Sequence, residues 1–474
     1  MINTFFSKKI KEIFKYTPTQ QQNEVIDALS DFLSDRRNDT AFLLRGYAGT
    51  GKTSLIGALV QSMLKLKQKV VLLAPTGRAA KVFSSYAEYP AYTIHKRIYR
   101  QKRYGEENSN YSLNDNLHHD TLFIVDEASM IANQGLSGVT FGSGRLLDDL
   151  IQYVYSGTRC KLIIMGDTAQ LPPVGEQMSP ALIGDRLAGY GLAITEYEMT
   201  EVVRQEEDSG ILYNATSLRS EIAEGVLNKF PMIQVKGFSD VIATPGMELI
   251  EEINTAYGRD GIDETIIVCR SNKTANLYNK GIRASVLYRE DELDTGDLLM
   301  VNRNNYYWSK DYKEMDFIAN GEVVQVERIQ SVYELYGFRF ADVTIVFPDH
   351  DHFEMEVKLL LDSLHTDTAA LPRSELEKLF RAVLEDYADI PLRKDRMNKM
   401  KADAHFNALQ IKYAYAITAH KAQGGQWKNV FLDQGYMTEE YVNLDYFRWL
   451  YTAITRATDK LYLVNFPKTQ LITK

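Results

Sequence analysis

Residues 43–59, LLRGYAGTGKTSLIGAL, hold the first group of side chains whose spacing implies chemistry. Gly46, Gly51, Lys52 and Thr53 fit the pattern G-x-x-x-x-G-K-[ST], with Ala48, Gly49 and Thr50 inside the loop. Such a loop lets backbone N–H groups approach phosphate oxygens, and the helix behind it offers its positive N-terminal end. Lys52 would reach the outer phosphates of a nucleotide, and the Thr53 hydroxyl would ligate Mg²⁺. Two carboxylates follow in IVDEASM: Asp126 to hold the Mg²⁺ through water, Glu127 to orient and deprotonate an attacking water. GDTAQLPPVG places Asp167 and Gln170 where a sensor of the γ-phosphate would sit. Charge developing on that phosphate calls for arginines, each worth about 10³ to 10⁵ in rate in related systems. Arg204 in TEVVRQ and Arg456 in YTAITRAT are the candidates. Both fall late enough in the chain to come from a second domain, so hydrolysis would report domain closure.

These residues need a scaffold, and the sequence describes one. Ala41 to Leu44 read as a buried strand and Ser54 to Leu66 as a helix. KVVLLA (69–74), TLFIVD (121–126) and KLIIMGD (161–167) repeat that rhythm, each strand ending in small, polar or acidic residues. That is the pattern of a parallel sheet with ligands at the carboxyl ends of its strands. The fold class is therefore α/β. Residues 97–120 are polar and tyrosine-bearing and break the rhythm, which points to a small inserted subdomain or hairpin. TIIVCR (265–270) opens a second βα set. Segments such as GDLLMVNRNNYYW, NGEVVQVERIQ and RFADVTIVF read as a small antiparallel barrel. A charged helical stretch, 373–404, then leads back to LQIKYAYAITAHKAQGGQW, NVFLD and DKLYLVNF, read as sheet strands again. The expected layout is 1–200, a first domain interrupted by 97–120; 201–292, the first part of a second domain; 293–409, the barrel with its helical extension; and 410–474, the rest of the second domain.

At 474 residues the chain is too long for one core. Two cysteines, Cys160 and Cys269, make neither a disulfide framework nor a four-cysteine zinc site, so a reduced, intracellular protein is expected; the expected location is the cytoplasm, and the expected origin bacterial or phage. No apolar run reaches spanning length, and no membrane partner is expected. The net charge of −9 argues against a protein that coats nucleic acid over its whole surface, though not against a local basic track. KRIYRQKR, from Lys96 to Arg103, is the densest such cluster, and by itself reads as a solvated helical face. PDHDHFEME (348–356) has metal-capable side chains but lies in a strand-rich stretch, and a solvent-facing strand edge is the preferred reading.

The ordered set GYAGTGKT, APTGRAA, TIH, DEAS, GDTAQLPPVG, VVRQ, AITAHKAQG and YTAITRA closely resembles the superfamily 1B DNA helicases of the RecD, Dda and Pif-like branch. The motifs run from about residue 19 to 458. The resemblance implies two RecA-like P-loop NTPase domains with ATP and Mg²⁺ in the cleft between them, and single-stranded DNA across both. It also implies 5′ to 3′ movement and an SH3-like β-barrel inserted in the second domain. Carried over by position, Gln22 in TQQQ would recognise adenine, chosen over Gln20 and Gln21 because Val25 and Ile26 then take the family's apolar positions. Thr76, Arg78, His95, Thr418, His420 and Lys421 fall where the family meets the DNA backbone. Gly424 and Gln426 fall at the nucleotide, and many relatives carry glutamate where this chain has Gln426. Expected partners are single-stranded DNA and single/double-strand junctions, with single-strand-binding, replication or repair proteins beside them, and the chain is expected to act as a monomer. The 97–120 insertion would be the wedge that splits a duplex. Phe83, Tyr86, Tyr99 and Tyr104 are available to stack on bases. Two other readings remain: a nucleic-acid-stimulated translocase or RNA helicase without processive unwinding, and a P-loop regulatory subunit of a DNA-repair complex.

Overall fold

The structure is a computed structural model, and it describes residues 2–101, 111–134, 141–202, 209–312, 315 and 317–473. Strands β1 (Thr40–Gly46), β2 (Lys69–Ala74), β3 (Ala91–Thr93), β4 (Tyr99–Gln101), β5 (Tyr111–Leu113), β6 (Thr121–Val125), β7 (Lys161–Gly166) and β8 (Ala193–Met199) lie in the first two hundred residues. Six of them form one parallel sheet in the order β3-β2-β6-β7-β1-β8. Phe42, Leu43 and Leu44 are fully buried, because helices cover both faces and each strand can be continuously apolar. Helices Ile2–Ile13, Gln20–Ser34 and Lys52–Lys65 cover one face; Leu146–Ser156 covers the other. The strands expected at 69–74, 121–126 and 161–167 are present within a residue, and the carboxyl ends of β1, β6 and β7 put Gly46, Asp126 and Asp167 on one edge.

β4 and β5 pair antiparallel, Tyr99 opposite Leu113, so the 97–120 segment is a hairpin at its base. Its remaining residues 102–110, including Lys102, Arg103 and Tyr104, lie outside the described residues. Tyr111 packs its ring 4.6 Å from Tyr306, and Phe141 lies 5.5 Å from both Tyr306 and Phe317. These aromatic contacts join the hairpin base to the segment that follows the first barrel strand.

After β9 (Ile233–Gln234), the second sheet contains β10 (Val241–Thr244) and β11 (Thr265–Cys269). The chain then leaves it for β12 (Leu298–Val301), β13 (Val323–Leu335), β14 (Phe338–Phe347), β15 (Phe353–Leu360) and β16 (Leu409–Tyr413), a closed five-stranded barrel. It returns in β17 (Ala416–Thr418), β18 (Trp427–Asp433) and β19 (Ala457–Val464), giving a parallel sheet in the order β10-β19-β18-β11-β17. The fold is thus two RecA-like α/β units and an inserted barrel. One reading needs correction. LQIKY reads by pattern as a strand of the returning sheet, but β16 pairs with β12 and β15 and closes the barrel. The crossover takes two residues: the Ala414 N–H donates to the Leu298 carbonyl in the barrel, and the Tyr415 carbonyl accepts from the Ile267 N–H in the sheet. Both strands are buried, so apolar patterning could not separate them.

The barrel entrance is fixed by Asp297, fully buried, which accepts from Arg283 at 3.0 and 2.9 Å, from Arg289 at 2.7 Å and from the Tyr415 hydroxyl at 2.9 Å. A buried carboxylate is tolerable only with such a set of partners. The charged stretch after the barrel forms helices Arg373–Glu385 and Arg393–Lys401, which share a separate small core with Phe338, Phe340, Leu379, Val383 and Met400. Among the described residues no helix is long and apolar enough to cross a membrane.

Candidate nucleotide site between the two sheets

The phosphate loop turns from β1 into helix Lys52–Lys65 through Gly51 at φ +78°, a left-handed conformation that glycine adopts at little cost. The Lys52 ammonium donates to the carbonyls of Gly46 at 2.5 Å and Tyr47 at 2.8 Å, folded back over its own loop. Burial pushes its pKa down, while the facing Asp167, Asp126 and Glu127 carboxylates pull it back up. Thr53 lies in the first turn of the same helix.

Asp126 ends its strand and accepts the Glu127 N–H at 2.7 Å. Burial, and then the charge of Glu127, push its carboxyl well above the usual carboxylate range. Glu127 itself sits at φ +52°, a conformation that costs a non-glycine residue about 1–2 kcal/mol. At the next strand end Asp167, 3% exposed, accepts from the Ala169 N–H at 2.9 Å. The amide oxygen of buried Gln170 meets no donor among the described residues. A buried acceptor left unpaired costs about 1–3 kcal/mol. A hydroxyl and a carboxylate, Thr53 and Asp126, are the right oxygen donors for Mg²⁺, which keeps several waters and takes few protein ligands.

The second sheet completes the cleft. Helix Leu444–Ile454 brings the Tyr451 hydroxyl between the phosphate loop and the end of β7: it donates to Asp167 at 2.6 Å and accepts the Ala48 N–H at 2.9 Å. Thr452 accepts the Leu171 N–H at 2.9 Å, and the Gln423 amide donates to the Leu171 carbonyl at 2.7 Å. Arg456, 4% exposed, donates to the carbonyls of Thr452 at 2.9 Å and Gly425 at 3.1 Å and to the Thr455 hydroxyl at 3.1 Å. Its charge reaches Asp167, whose pKa burial raises and the Lys52 and Arg456 cations lower. Arg204 lies outside the described residues.

Other expected site residues fall in varied settings. Gln22 is 2% exposed; its side chain accepts the Thr19 N–H at 3.0 Å and donates to the Thr50 carbonyl at 3.0 Å. It therefore caps its helix and braces the phosphate loop, and Gln21 instead binds the backbone of Thr200 and Glu201. Thr76 caps helix Gly77–Ala87 through the Ala79 N–H. Arg78 stacks over the Trp427 ring at 4.1 Å. Gly424, at φ +73°, comes so near that helix that a Cβ would lie 2.7 Å from Ala79 Cβ; Gln426 is exposed. Residues 76–79 and 424–427 thus meet where the two sheets face each other. His420 is exposed, and Lys421 donates to Asn320 at 2.5 Å, its pKa lowered to about 8 by burial. Thr418 stands just before the short helix Ala419–Ala422 that carries both. His95 packs 4.8 Å from Phe141 and 5.7 Å from Tyr99, and burial lowers its pKa to about 4.

Residues 19–235 match a family model described as an AAA domain, and residues 413–464 one described as a UvrD-like helicase C-terminal domain. The ATP-dependent RecD2 DNA helicase of Deinococcus radiodurans is 23% identical across 94% of this chain and 48% of its own length, so this chain spans about half of that protein. The ATP-dependent DNA helicase Dda of Enterobacteria phage T4 is 22% identical across 87% of this chain and 92% of its own. The crystal structure of Pif1 helicase from Bacteroides with ADP-AlF3 and single-stranded DNA aligns over 97% of this chain and 95% of that one, at 14% identity and a TM-score of 0.49. In these comparisons the chain is similar to DNA helicases of the RecD and Dda type along most of its length. Within that helicase framework, two side chains at the cleft escaped the reading of the sequence. Tyr451 lies inside YTAITRAT, where an aromatic carries no signal of its own. Arg219, on helix Gly210–Glu224, places its guanidinium 4.4 Å from the Tyr47 ring, with no carboxylate partner among the described residues. A cation at helical spacing carries no signal of its own in one sequence.

Proposed function

We propose that the chain is an ATP-dependent DNA helicase that moves 5′ to 3′ on single-stranded DNA and separates the duplex ahead of it. The observation that carries this reading is the seam of hydrogen bonds from Tyr451, Thr452 and Gln423 to Ala48, Asp167 and Leu171. A triphosphate site closed by a second sheet senses the distance between two sheets, which is what a motor requires and a small-molecule kinase does not.

In this reading the phosphate-loop amides and Lys52 hold the phosphates, with Thr53 and Asp126 holding Mg²⁺. The metal, when bound, neutralises charge on the β- and γ-oxygens. Glu127 takes a proton from water as its oxygen attacks the γ-phosphorus, the bond to the bridging oxygen breaks, and ADP leaves with the electron pair. Arg456 gives up neutral oxygens for the developing charge, since a charge-assisted hydrogen bond is about twice as strong as a neutral one. Arg204 is proposed as its companion, and Gln170 as the sensor that reports the γ-phosphate to the loop beside Leu171. Closure shortens the distance between the strand-gripping sets, Thr76 with Arg78 and Thr418 with His420 and Lys421. Hydrolysis reopens it, a population shift driven by nucleotide state. The 97–120 hairpin is the proposed wedge, held against the barrel side through Tyr111 and Tyr306; deleting its tip should abolish unwinding and leave translocation. We place the chain in the cytoplasm as a monomer.

The test is ATP turnover with and without single-stranded DNA, with Lys52→Ala as control. Strong stimulation, lost in the variant, supports the motor. Turnover indifferent to any nucleic acid would sink it and favour the P-loop switch.

A further inference from the structure

Tyr451 is 1% exposed and is the one side chain of the second sheet's helices hydrogen-bonded to a backbone amide of the phosphate loop among the described residues. An N–H carries one hydrogen, so a phosphate oxygen and the Tyr451 hydroxyl compete for Ala48. The hydroxyl holds that amide now, and its own proton is committed to Asp167. Every residue from Tyr446 to Ile454 is buried, so the ring cannot withdraw without carrying the end of its helix. That end also holds Thr452, bonded to Leu171, and leads into Arg456, bonded to the Thr452 and Gly425 carbonyls.

We propose that Tyr451 is a positioning residue that competes with the nucleotide for the Ala48 amide and so converts occupancy of the phosphate loop into movement of the second sheet. The proposal rests on the reading above that this loop binds ATP. Without nucleotide the hydroxyl fills the amide and keeps Asp167 paired. When a phosphate takes the amide, the hydroxyl gives up its acceptor role, the helix end shifts, and Arg456 moves relative to Gly425. Binding is penalised by the bond it breaks, and that penalty is the coupling between nucleotide and sheet.

Tyr451→Phe keeps the ring and removes the competitor. Binding of a fluorescent non-hydrolysable ATP analogue with Mg²⁺, in the absence of nucleic acid, should tighten about two- to tenfold, the worth of one neutral hydrogen bond. Turnover on single-stranded DNA should show a lower KM for ATP together with a lower kcat, because the nucleotide no longer moves the second sheet. A merely structural tyrosine would loosen binding and raise KM. Analogue binding that is unchanged or weaker in Tyr451→Phe overturns the proposal. Should that variant fold poorly, fluorotyrosine at position 451 of the otherwise unaltered chain gives a second reading: its fluorine resonance should shift when the analogue is added, and an unmoved resonance overturns the proposal. An unaltered chain that binds no analogue at all would overturn the triphosphate reading as well, which separates the two failures.

Discussion

The cleft makes a sharp demand at Gly424, where a single added carbon should separate nucleotide turnover from nucleotide binding. In Gly424→Ala the new Cβ would lie 2.7 Å from Ala79 Cβ and 3.3 Å from Thr76 Oγ1. Carbon atoms rest about 3.5–4.0 Å apart, so the loop and helix Gly77–Ala87 must part by about 1 Å. The backbone at φ +73° adds about 1–2 kcal/mol of strain for a residue with a side chain. The next residue, Gly425, supplies the carbonyl that Arg456 holds at 3.1 Å, so the displacement reaches the proposed arginine finger directly. Misplacement by about 1 Å can cost on the order of 10²-fold in rate. Turnover on single-stranded DNA should therefore fall by about ten- to a hundredfold, while analogue binding stays within a few-fold, because no phosphate-loop atom is touched. Ala79→Gly, added to Gly424→Ala, removes the colliding carbon and should restore part of the lost rate. Gly424→Ala with the turnover of the unaltered chain, or no recovery in the double variant, would refute the reasoning.

Glu127→Gln should lower kcat by about 10² to 10⁴ with analogue binding little changed, since a general base acts only in the chemical step; equal losses in both would contradict its role. Asp297→Ala strands the Arg283 and Arg289 charges inside the barrel entrance and should cost about 3–5 kcal/mol in urea unfolding, against less than 1 if the network is dispensable. Burial holds His95 down at about 4, whereas an unfolded histidine titrates near 6.5, so between these values the unfolded chain binds a proton that the folded chain does not. Stability should accordingly fall as pH drops from about 6.5 toward 4, and His95→Gln should flatten that slope in urea titrations; an unaltered slope would contradict the assignment. Tyr306→Ala removes aromatic pairs worth about 0.5–1.5 kcal/mol each from the hairpin base and should impair duplex opening while leaving strand-stimulated turnover intact, a split that stopped-flow unwinding and turnover assays can read.

The legible parts of this chain were those set by local pattern. The phosphate loop, the apolar strand runs and the carboxylates at their ends could be located because each depends on neighbours within a few residues. What could not be read depended on distant partners. Leu409–Tyr413 is apolar enough for either sheet or barrel, and only its pairing with Leu298–Val301 and Phe353–Leu360 decides. Gln22 looks free in TQQQ until the fold brings Thr50 against its amide. Tyr451 reads as a core aromatic, with half of its role visible only once Ala48, some four hundred residues earlier, lies beside it. Arg78 shows the same limit: its stack on Trp427 comes from the meeting of two domains, whereas the cap that Thr76 gives to the Ala79 N–H is local.

The account stands most directly on the polarity of strand separation. Duplexes carrying a single-stranded tail at either the 5′ or the 3′ end would be offered with ATP, Mg²⁺ and an excess of trap strand, and release of the displaced strand followed in time. Opening confined to the 5′-tailed duplex, and absent with Lys52→Ala, is the expected result. Opening from the 3′ tail alone would contradict the direction, and strand-stimulated hydrolysis with no opening from either tail would leave a translocase in place of a helicase.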